Sequence, residues 1–269
     1  MNTAVIVPWV HAKTRDEFLK AWNLSSQPPW LIMPQDTTHA GCGAMKNRGI
    51  QQAVEAGYET VVVLDDDCHP SFAADLRIFV EQHEKALEPV EVEMFAAVTD
   101  PPSRGTPYGS RKVKLPVAAS LGFWTGIGDY CGVRHLATNC GKMQFNRSPI
   151  HGKYFPLSGM NVAFKPKQWL PWCSFIEVAR FDDIWMGWLW QREAYRRGFC
   201  FNLGGPDIKH ARQSNVWKNL QLEARFLEEN ETLWARIAVH RDGSYDSLRS
   251  LLPERMLGES AAHPTKESS

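Results

Sequence analysis

A chain of 269 residues, 43% of them hydrophobic, can bury an ample core, either as one large α/β domain or as two small ones. Its 30 basic and 30 acidic residues cancel to a formal net charge of zero, so nothing global calls for nucleic acid or an anionic membrane, although a local basic patch stays open. The cysteines (Cys42, Cys68, Cys131, Cys140, Cys173 and Cys200) contain no Cys-x-x-Cys pair and fit reduced thiols better than a disulfide framework or a zinc site.

In chain order, Ala4 to Val7 reads as a short buried strand, too short for a signal peptide or a membrane span, and a soluble cytoplasmic protein is expected. Pro8-Trp9-Val10 opens a loop at its carboxyl end, where open α/β sheets bind ligands, so Trp9 could cover a nucleotide base or simply cap the core. Thr14 and Glu17 have capping-box spacing and predict a helix through about Trp22. Trp30 to Met33 resumes as a strand, and a helix is expected from about Ala44 to Ala56, stopped by Gly57. On that helix Asn47 and Arg48 could reach a diphosphate or lie on the surface.

Thr60-Val61-Val62-Val63-Leu64 is wholly apolar after its first residue, the pattern of a strand covered on both faces, and it ends in Asp65-Asp66-Asp67-Cys68. In an extended chain Asp65 and Asp67 point one way and Asp66 the other. Like charges sharing a crevice repel unless a cation sits between them, and carboxylate oxygens suit Mg²⁺ or Mn²⁺ shared with substrate phosphates. A solvated acidic turn with Asp67 or Ser71 as helix N-cap is the plainer alternative. A helix from Ser71 to Leu87 follows, then a strand from Glu91 to Val98 entering the sheet, a loop from Asp100 to Pro107 that could act as a lid, and a strand from Val117 to Trp124. Arg104, Arg111, Lys112 and Lys114 form a basic cluster that could bind phosphates or face water.

Phe155 to Phe164 reads as a strand broken by Gly159, and glycine in a strand marks a bulge or a close approach to ligand; Asn161 offers a donor and an acceptor there. Asp182 and Asp183 open a helix running to about Arg197, as caps or as a general base near a sugar. Of the 11 tryptophans, sugar stacking could use a few and core packing most; Trp185 and Trp188, near helical spacing with Tyr195, read as core. Gly204-Gly205-Pro206 is a turn leading to His210, which again follows an expected strand. Helices occupy about 216 to 257, and the chain from Gly258 onward is expected to be disordered.

Four pieces, Asp65-Asp66-Asp67-Cys68, Leu157 to Phe164, Arg180 to Trp188, and Gly204-Gly205-Pro206 with His210, together resemble the reversibly glycosylated polypeptide family, the plant UDP-arabinopyranose mutases. In that family an Asp-Asp-Asp-Cys motif, a Gly-Met/Ile-Asn-x-Ala-Phe strand and an acidic helix start occur in the same order. The resemblance spans about Tyr58 to Asn215 and implies a GT-A-like, Rossmann-type α/β fold, a mainly parallel central sheet flanked by helices, as one catalytic domain over 1–257. It implies Asp67 and His210 as metal ligands and Asp65 on the metal or the nucleotide ribose; beside these, Trp9, Asp66, Arg48, Gly159 and Asn161, read from the residues themselves, are candidates at the sugar nucleotide. Asp183, oriented by Asp182, would face the reacting sugar, and Arg111 is the counterpart of the family's self-glycosylated arginine.

The sequence therefore points to a Mn²⁺- or Mg²⁺-dependent glycosyltransferase that takes a nucleoside-diphosphate sugar, most simply UDP-linked. Pyranose to furanose interconversion needs the same leaving-group machinery, and a non-catalytic sugar-nucleotide-binding protein is the third reading. The acceptor is unknown; hydroxymethylated DNA bases are one class, because the Arg104 to Lys114 cluster and Arg192, Arg196 and Arg197 could contact phosphates.

Overall fold

The computed structural model describes residues 2–72, 74–94, 111–126, 145–178, 180–211, 215–240 and 244–252. The expected lid at 100–107, Arg104 and the tail beyond 257 lie outside them. In chain order the elements are β1 (Thr3–Ile6), α1 (Ala12–Ala21), β2 (Leu31–Ile32), α2 (Cys42–Glu55), β3 (Thr60–Leu64), β4 (Cys68–Pro70), α3 (Leu76–Ala86), β5 (Val90–Glu93), β6 (Lys112–Leu115), β7 (Val117–Leu121) and β8 (Trp124–Gly126). There follow β9 (Asn161–Phe164), α4 (Pro166–Trp169), α5 (Asp182–Arg196), β10 (Cys200–Asn202), β11 (Ile208–His210), α6 (Val216–Val239) and α7 (Tyr245–Arg249).

Six strands form the central sheet in the order β10-β7-β9-β3-β1-β2. All pairings are parallel except those of β9, which runs antiparallel to both β3 and β7. Alternation along each strand sends residues to opposite faces. Ala4, Ile6, Val61, Val63, Val162 and Phe164 pack with Ile50 of α2, with Trp185, Leu189 and Trp190 of α5, and with Phe226 of α6. Val5, Val62, Leu64 and Ala163 pack with Phe18 and Trp22 of α1 and Phe79 of α3. Helices thus cover both faces, which is why β3 carries no polar residue between Thr60 and Asp65 and is buried throughout. This is the mixed α/β, mainly parallel architecture expected of a GT-A-like, Rossmann-type fold. Trp22, Trp169, Trp185 and Trp190 are among the largest fully buried side chains, the core role expected for most of the tryptophans.

Local signals misplaced three features. The capping-box pair does not start α1: the helix begins at Ala12 after His11, which makes no side-chain cap, and Thr14 sits inside the first turn with its hydroxyl turned to His11 O and to Asp66. Neither Asp67 nor Ser71 caps α3; Asp75 does, accepting from Arg77 N at 2.8 Å and Ile78 N at 3.4 Å. The strand after α3 does not enter the central sheet: β5 pairs antiparallel with β6 in a two-stranded sheet of its own. A third small sheet, β4-β11-β8, stands beyond the carboxyl end of β3 and frames the site. Among the described residues no helix is long and apolar enough to cross a membrane.

Candidate active site

The chain turns as soon as β3 ends, with Cys68 N donating to Asp65 O at 3.1 Å, so strict alternation stops there. The three acids consequently meet three different parts of the molecule. Asp65 reaches α2, where its Oδ1 lies 2.8 Å from Lys46 Nζ and 3.8 Å from Cys42 Sγ. Asp66 accepts from the Thr14 hydroxyl of α1. Asp67, immediately before β4, has its Oδ2 3.4 Å from Nε2 of His210 on the adjacent β11.

Lys46 is the residue that sequence reasoning missed. It is 3% exposed, lies over the Phe175 ring at 5.1 Å, and faces Asp65, Asp182 and Asp183. Burial opposes its charge, but Asp65 first and then the other anions outweigh this and hold its pKa well above the ordinary lysine value. Arg48, chosen instead for the diphosphate, is two residues further on. At about 100° per residue on a helix it points roughly 200° away, into a groove beside β2 with Pro28, Pro34 and Thr37. Asn47 is spent as well, its amide bridging Phe175 N and Phe175 O at 2.7 and 2.9 Å.

The loop into α2 is built by Asp36, whose carboxylate accepts from Thr38, Ala40 and Gly41 backbone nitrogens. Those bonds outweigh its burial and keep its pKa below the usual carboxylate value. Gly41, at φ 98°, then turns the chain into the helix at Cys42. Gly43 has no room for a side chain, since a Cβ there would stand 3.0 Å from Asp182 Oδ2 and 3.2 Å from Ile176 O. The first turns of α2 and α5 therefore meet at Asp182.

Phe181 enters α5 in the left-handed region at φ 64°, a costly conformation for a bulky residue that here sets the direction of the two acids after it. Asp183 Oδ2 accepts from Gly159 N at 2.7 Å and its Oδ1 from Ile184 N at 2.8 Å, so both oxygens are held by backbone. Asp182 has a different environment: burial, then the charge of Asp183, raise its carboxyl to about 7, against the pull of Lys46. Burial raises the pKa of Asp183 as well, so the first turn of α5 presents two buried carboxyls beside Lys46. Gly159 is indeed a close approach, but to protein: a Cβ would lie 2.5 Å from Phe175 Cε1 and 3.1 Å from Asp183 Cβ. Gly159→Ala is expected to cost about 1–3 kcal/mol by overpacking, seen as a lower urea midpoint at unchanged slope.

Other expected site residues are placed as follows. Trp9 stands at the carboxyl end of β1, half-buried, with its indole nitrogen donating to Met33 O at 3.0 Å and Arg15 lying over the ring at 4.9 Å. Asn161 is 1% exposed and its amide is wholly engaged inside the protein, so it turns away from the crevice. Arg111 opens the segment leading into the amino end of β7, whereas the acids lie beyond the carboxyl end of β3, which runs parallel to β7; the topology separates them. Arg192 reaches the carbonyls of Ile237 and His240 at the end of α6, and Arg196 and Arg197 both bind Glu193.

The expected metal set is only partly assembled. Asp67 and His210 are neighbours with oxygen and nitrogen donors directed at each other, a pair suited to a divalent ion whose other ligands are phosphate and water. Asp65, the third expected ligand, is turned to Lys46 instead, and among the described residues no group of three or more His, Cys, Asp or Glu is placed to hold a metal.

Comparison with known proteins gives the resemblance independent weight. The chain is similar to UDP-arabinopyranose mutase 3 of Arabidopsis thaliana (29% identity over 182 residues) and UDP-arabinopyranose mutase 1 of the same plant (30% over 184 residues). It is also similar to UDP-arabinopyranose mutase 1 of Oryza sativa subsp. japonica, at 28% over 183 residues. Each alignment takes in 61% of this chain, and the chain spans about half the length of these relatives, 50 to 51%. No family model matches. The family resemblance read from the motifs is thus borne out.

Proposed function

We propose that the chain acts on a UDP-linked sugar, breaking its anomeric C–O bond, and that it interconverts the pyranose and furanose forms. The observation that carries this reading is that relatives similar over 61% of the chain bear the name UDP-arabinopyranose mutase, while Asp65, Asp182 and Asp183 surround Lys46. Glycosyl transfer to an acceptor shares the bond-breaking step and is the second outcome of the same assay.

The ring change sets a requirement that Asp182 meets. When C1 exchanges its bond to the ring oxygen of the pyranose for one to O4, the 4-hydroxyl must lose a proton and the former ring oxygen must gain one. A single carboxyl with a pKa near the working pH takes the first proton and returns it to the second oxygen. Burial and Asp183 place Asp182 at about 7, in that range. The diphosphate departs with the bonding pair and returns to C1 after the ring has closed. Lys46 keeps Asp65 and Asp182 from repelling one another and supplies positive charge beside the diphosphate. Asp67 and His210 would hold the divalent ion, which when bound offsets the charge on the departing diphosphate.

The test incubates the purified protein with UDP-arabinopyranose and Mn²⁺ or Mg²⁺ and separates products by anion exchange. An isomeric UDP-sugar at constant UDP is the expected result. Asp67→Ala and His210→Ala are expected to weaken Mn²⁺ binding and to lower turnover by about 100-fold or more. Free UDP with a sugar-loaded acceptor would select transfer, and no product from a panel of UDP-sugars would sink both activity readings.

A further inference from the structure

Beneath the crevice lies a buried chain of hydrogen bonds through Ser120, His83 and Asn161, which are 0%, 0% and 1% exposed. Ser120 Oγ is 2.9 Å from His83 Nδ1, and His83 Nε2 is 2.8 Å from Asn161 Oδ1. Asn161 Nδ2 donates to Pro206 O at 2.8 Å and Phe123 O at 3.3 Å. Only one assignment of protons satisfies this set. The two carbonyls can only accept, so the amide nitrogen must face them and Oδ1 must face His83. Oδ1 can only accept in turn, so Nε2 carries the proton. Burial lowers the imidazole pKa to about 4, so near neutral pH the ring is uncharged and Nδ1 accepts from the Ser120 hydroxyl.

The carbonyls that Asn161 holds belong to two segments that cross at van der Waals contact. A Cβ on Gly122 would fall 1.8 Å from Pro206 O, and one on Gly205 would fall 2.8 Å from Gly122 N and Leu121 O. At the crossing Gly205 N donates to Leu121 O, Ile208 N to Phe123 O, both at 2.9 Å, and Phe123 N to Asp207 Oδ1 at 3.2 Å. From it the segments continue as β8 and β11, and β11 pairs with β4 so that His210 stands opposite Cys68, beside Asp67.

We propose that His83 is a positioning residue for His210: by fixing the amide of Asn161 it locks the crossing of 121–123 with 205–208, and that crossing sets where β11 presents His210 to Asp67. The imidazole works at a distance, through Asn161 and two main-chain carbonyls. It is suited to this because it separates one donor from one acceptor on a rigid ring, matching an acceptor on one side and a hydroxyl on the other.

The test uses two readouts that need no substrate. In the ¹⁵N-labelled protein His83 is expected as the neutral Nε2–H tautomer in long-range ¹H–¹⁵N correlation spectra. In His83→Phe, which keeps an aromatic ring in the core, the amides of Gly205 and Ile208 are expected to exchange at least tenfold faster, on the order of the loss of one buried hydrogen bond. Val62 and Val63 in β3 keep their protection. His83→Gln, which again supplies a donor and an acceptor, recovers most of the difference. If His83→Phe does not fold, Ser120→Ala takes its place, with the Nε2–H tautomer kept, because Asn161 Oδ1 still requires a donor, and a smaller acceleration at the same two amides. An Nδ1–H tautomer, unchanged protection at Gly205 and Ile208, or protection lost equally in β3 would overturn the proposal. A further readout rests on the UDP-sugar reading: His83→Phe loses turnover and His83→Gln regains it. A wild-type protein that turns over no UDP-sugar removes that readout and the activity, and leaves the exchange and tautomer results to decide the clamp.

Discussion

Replacing Lys46 by methionine is expected to destabilise the protein by about 3–5 kcal/mol near pH 8, the usual cost of removing one partner from a buried charge set, and by much less near pH 5. Methionine keeps the length and packing of the side chain over Phe175 and removes only the charge. What remains is Asp65, Asp182 and Asp183 around a vacated cation position, with Asp182 already raised to about 7 by burial and by Asp183 while Lys46 was opposing both. Without Lys46 the folded-state pKa values of Asp182 and Asp183 rise further above those of the unfolded chain. The folded protein then binds protons that the unfolded chain releases, so stability is fully present below the unfolded carboxylate pKa and is lost as pH rises through the folded one. Urea denaturation of both proteins at pH 5 and pH 8 measures this. Equal losses at the two pH values, or a loss below about 1 kcal/mol, would show that the charge of the lysine does not hold the three acids in the folded protein.

Asp182→Asn should act in the opposite direction on stability. The carboxyl of Asp182 lies at about 7 in the folded protein, with 3.8 as its ordinary value, because burial and then the Asp183 charge disfavour ionisation. The contribution of Asp182 to wild-type stability therefore falls as pH rises from about 4 to 7, the window between the two values. The neutral asparagine has nothing to ionise, so the variant's melting temperature should be flatter across that range and higher than wild type at pH 8, by the equivalent of about 1–3 kcal/mol. Turnover of a UDP-sugar is expected to fall by about 100-fold or more, because the group that shuttles the proton is gone. Melting curves from pH 5 to 8 check the first half and the chromatographic assay the second. Parallel melting profiles would remove the raised carboxyl, and a fully active variant would move the proton shuttle to another residue. A gain in stability with a loss of activity is the pattern of a site held in a strained charge state for function.

Much of the framework was legible in the chain. The run from Val61 to Leu64 could only be a strand covered on both faces, and its abrupt end in three acids announced a site at the carboxyl edge of a parallel sheet. The acidic start of α5 was equally visible, since the helical pattern from Asp182 to Arg196 ends at Gly198. The errors share one cause, which is that short-range spacing does not fix what a residue faces. Thr14 and Glu17 had capping-box spacing, but the helix had begun two residues before Thr14 and turned its hydroxyl to Asp66, far away in the chain. Arg48 and Lys46 lie on one helix, and only the phase of that helix against β3 decides that Lys46 enters the crevice.

Taken by itself, the sequence determined the class of fold, the strand that ends at the site and the acidic residues offered there, because hydrophobic periodicity and chain order depend on near neighbours. Their partners were decided by the tertiary structure alone. The turn after Leu64 distributes Asp65, Asp66 and Asp67 to Lys46, Thr14 and His210, two backbone hydrogen bonds fasten Asp183, and burial with the Asp183 charge raises the Asp182 carboxyl. Apart from the bond from Ile184 N to Asp183, those assignments join segments from about 20 to more than 140 residues apart, and the free energy that selects among them comes from burial and charge that exist only once the helices have closed over the sheet.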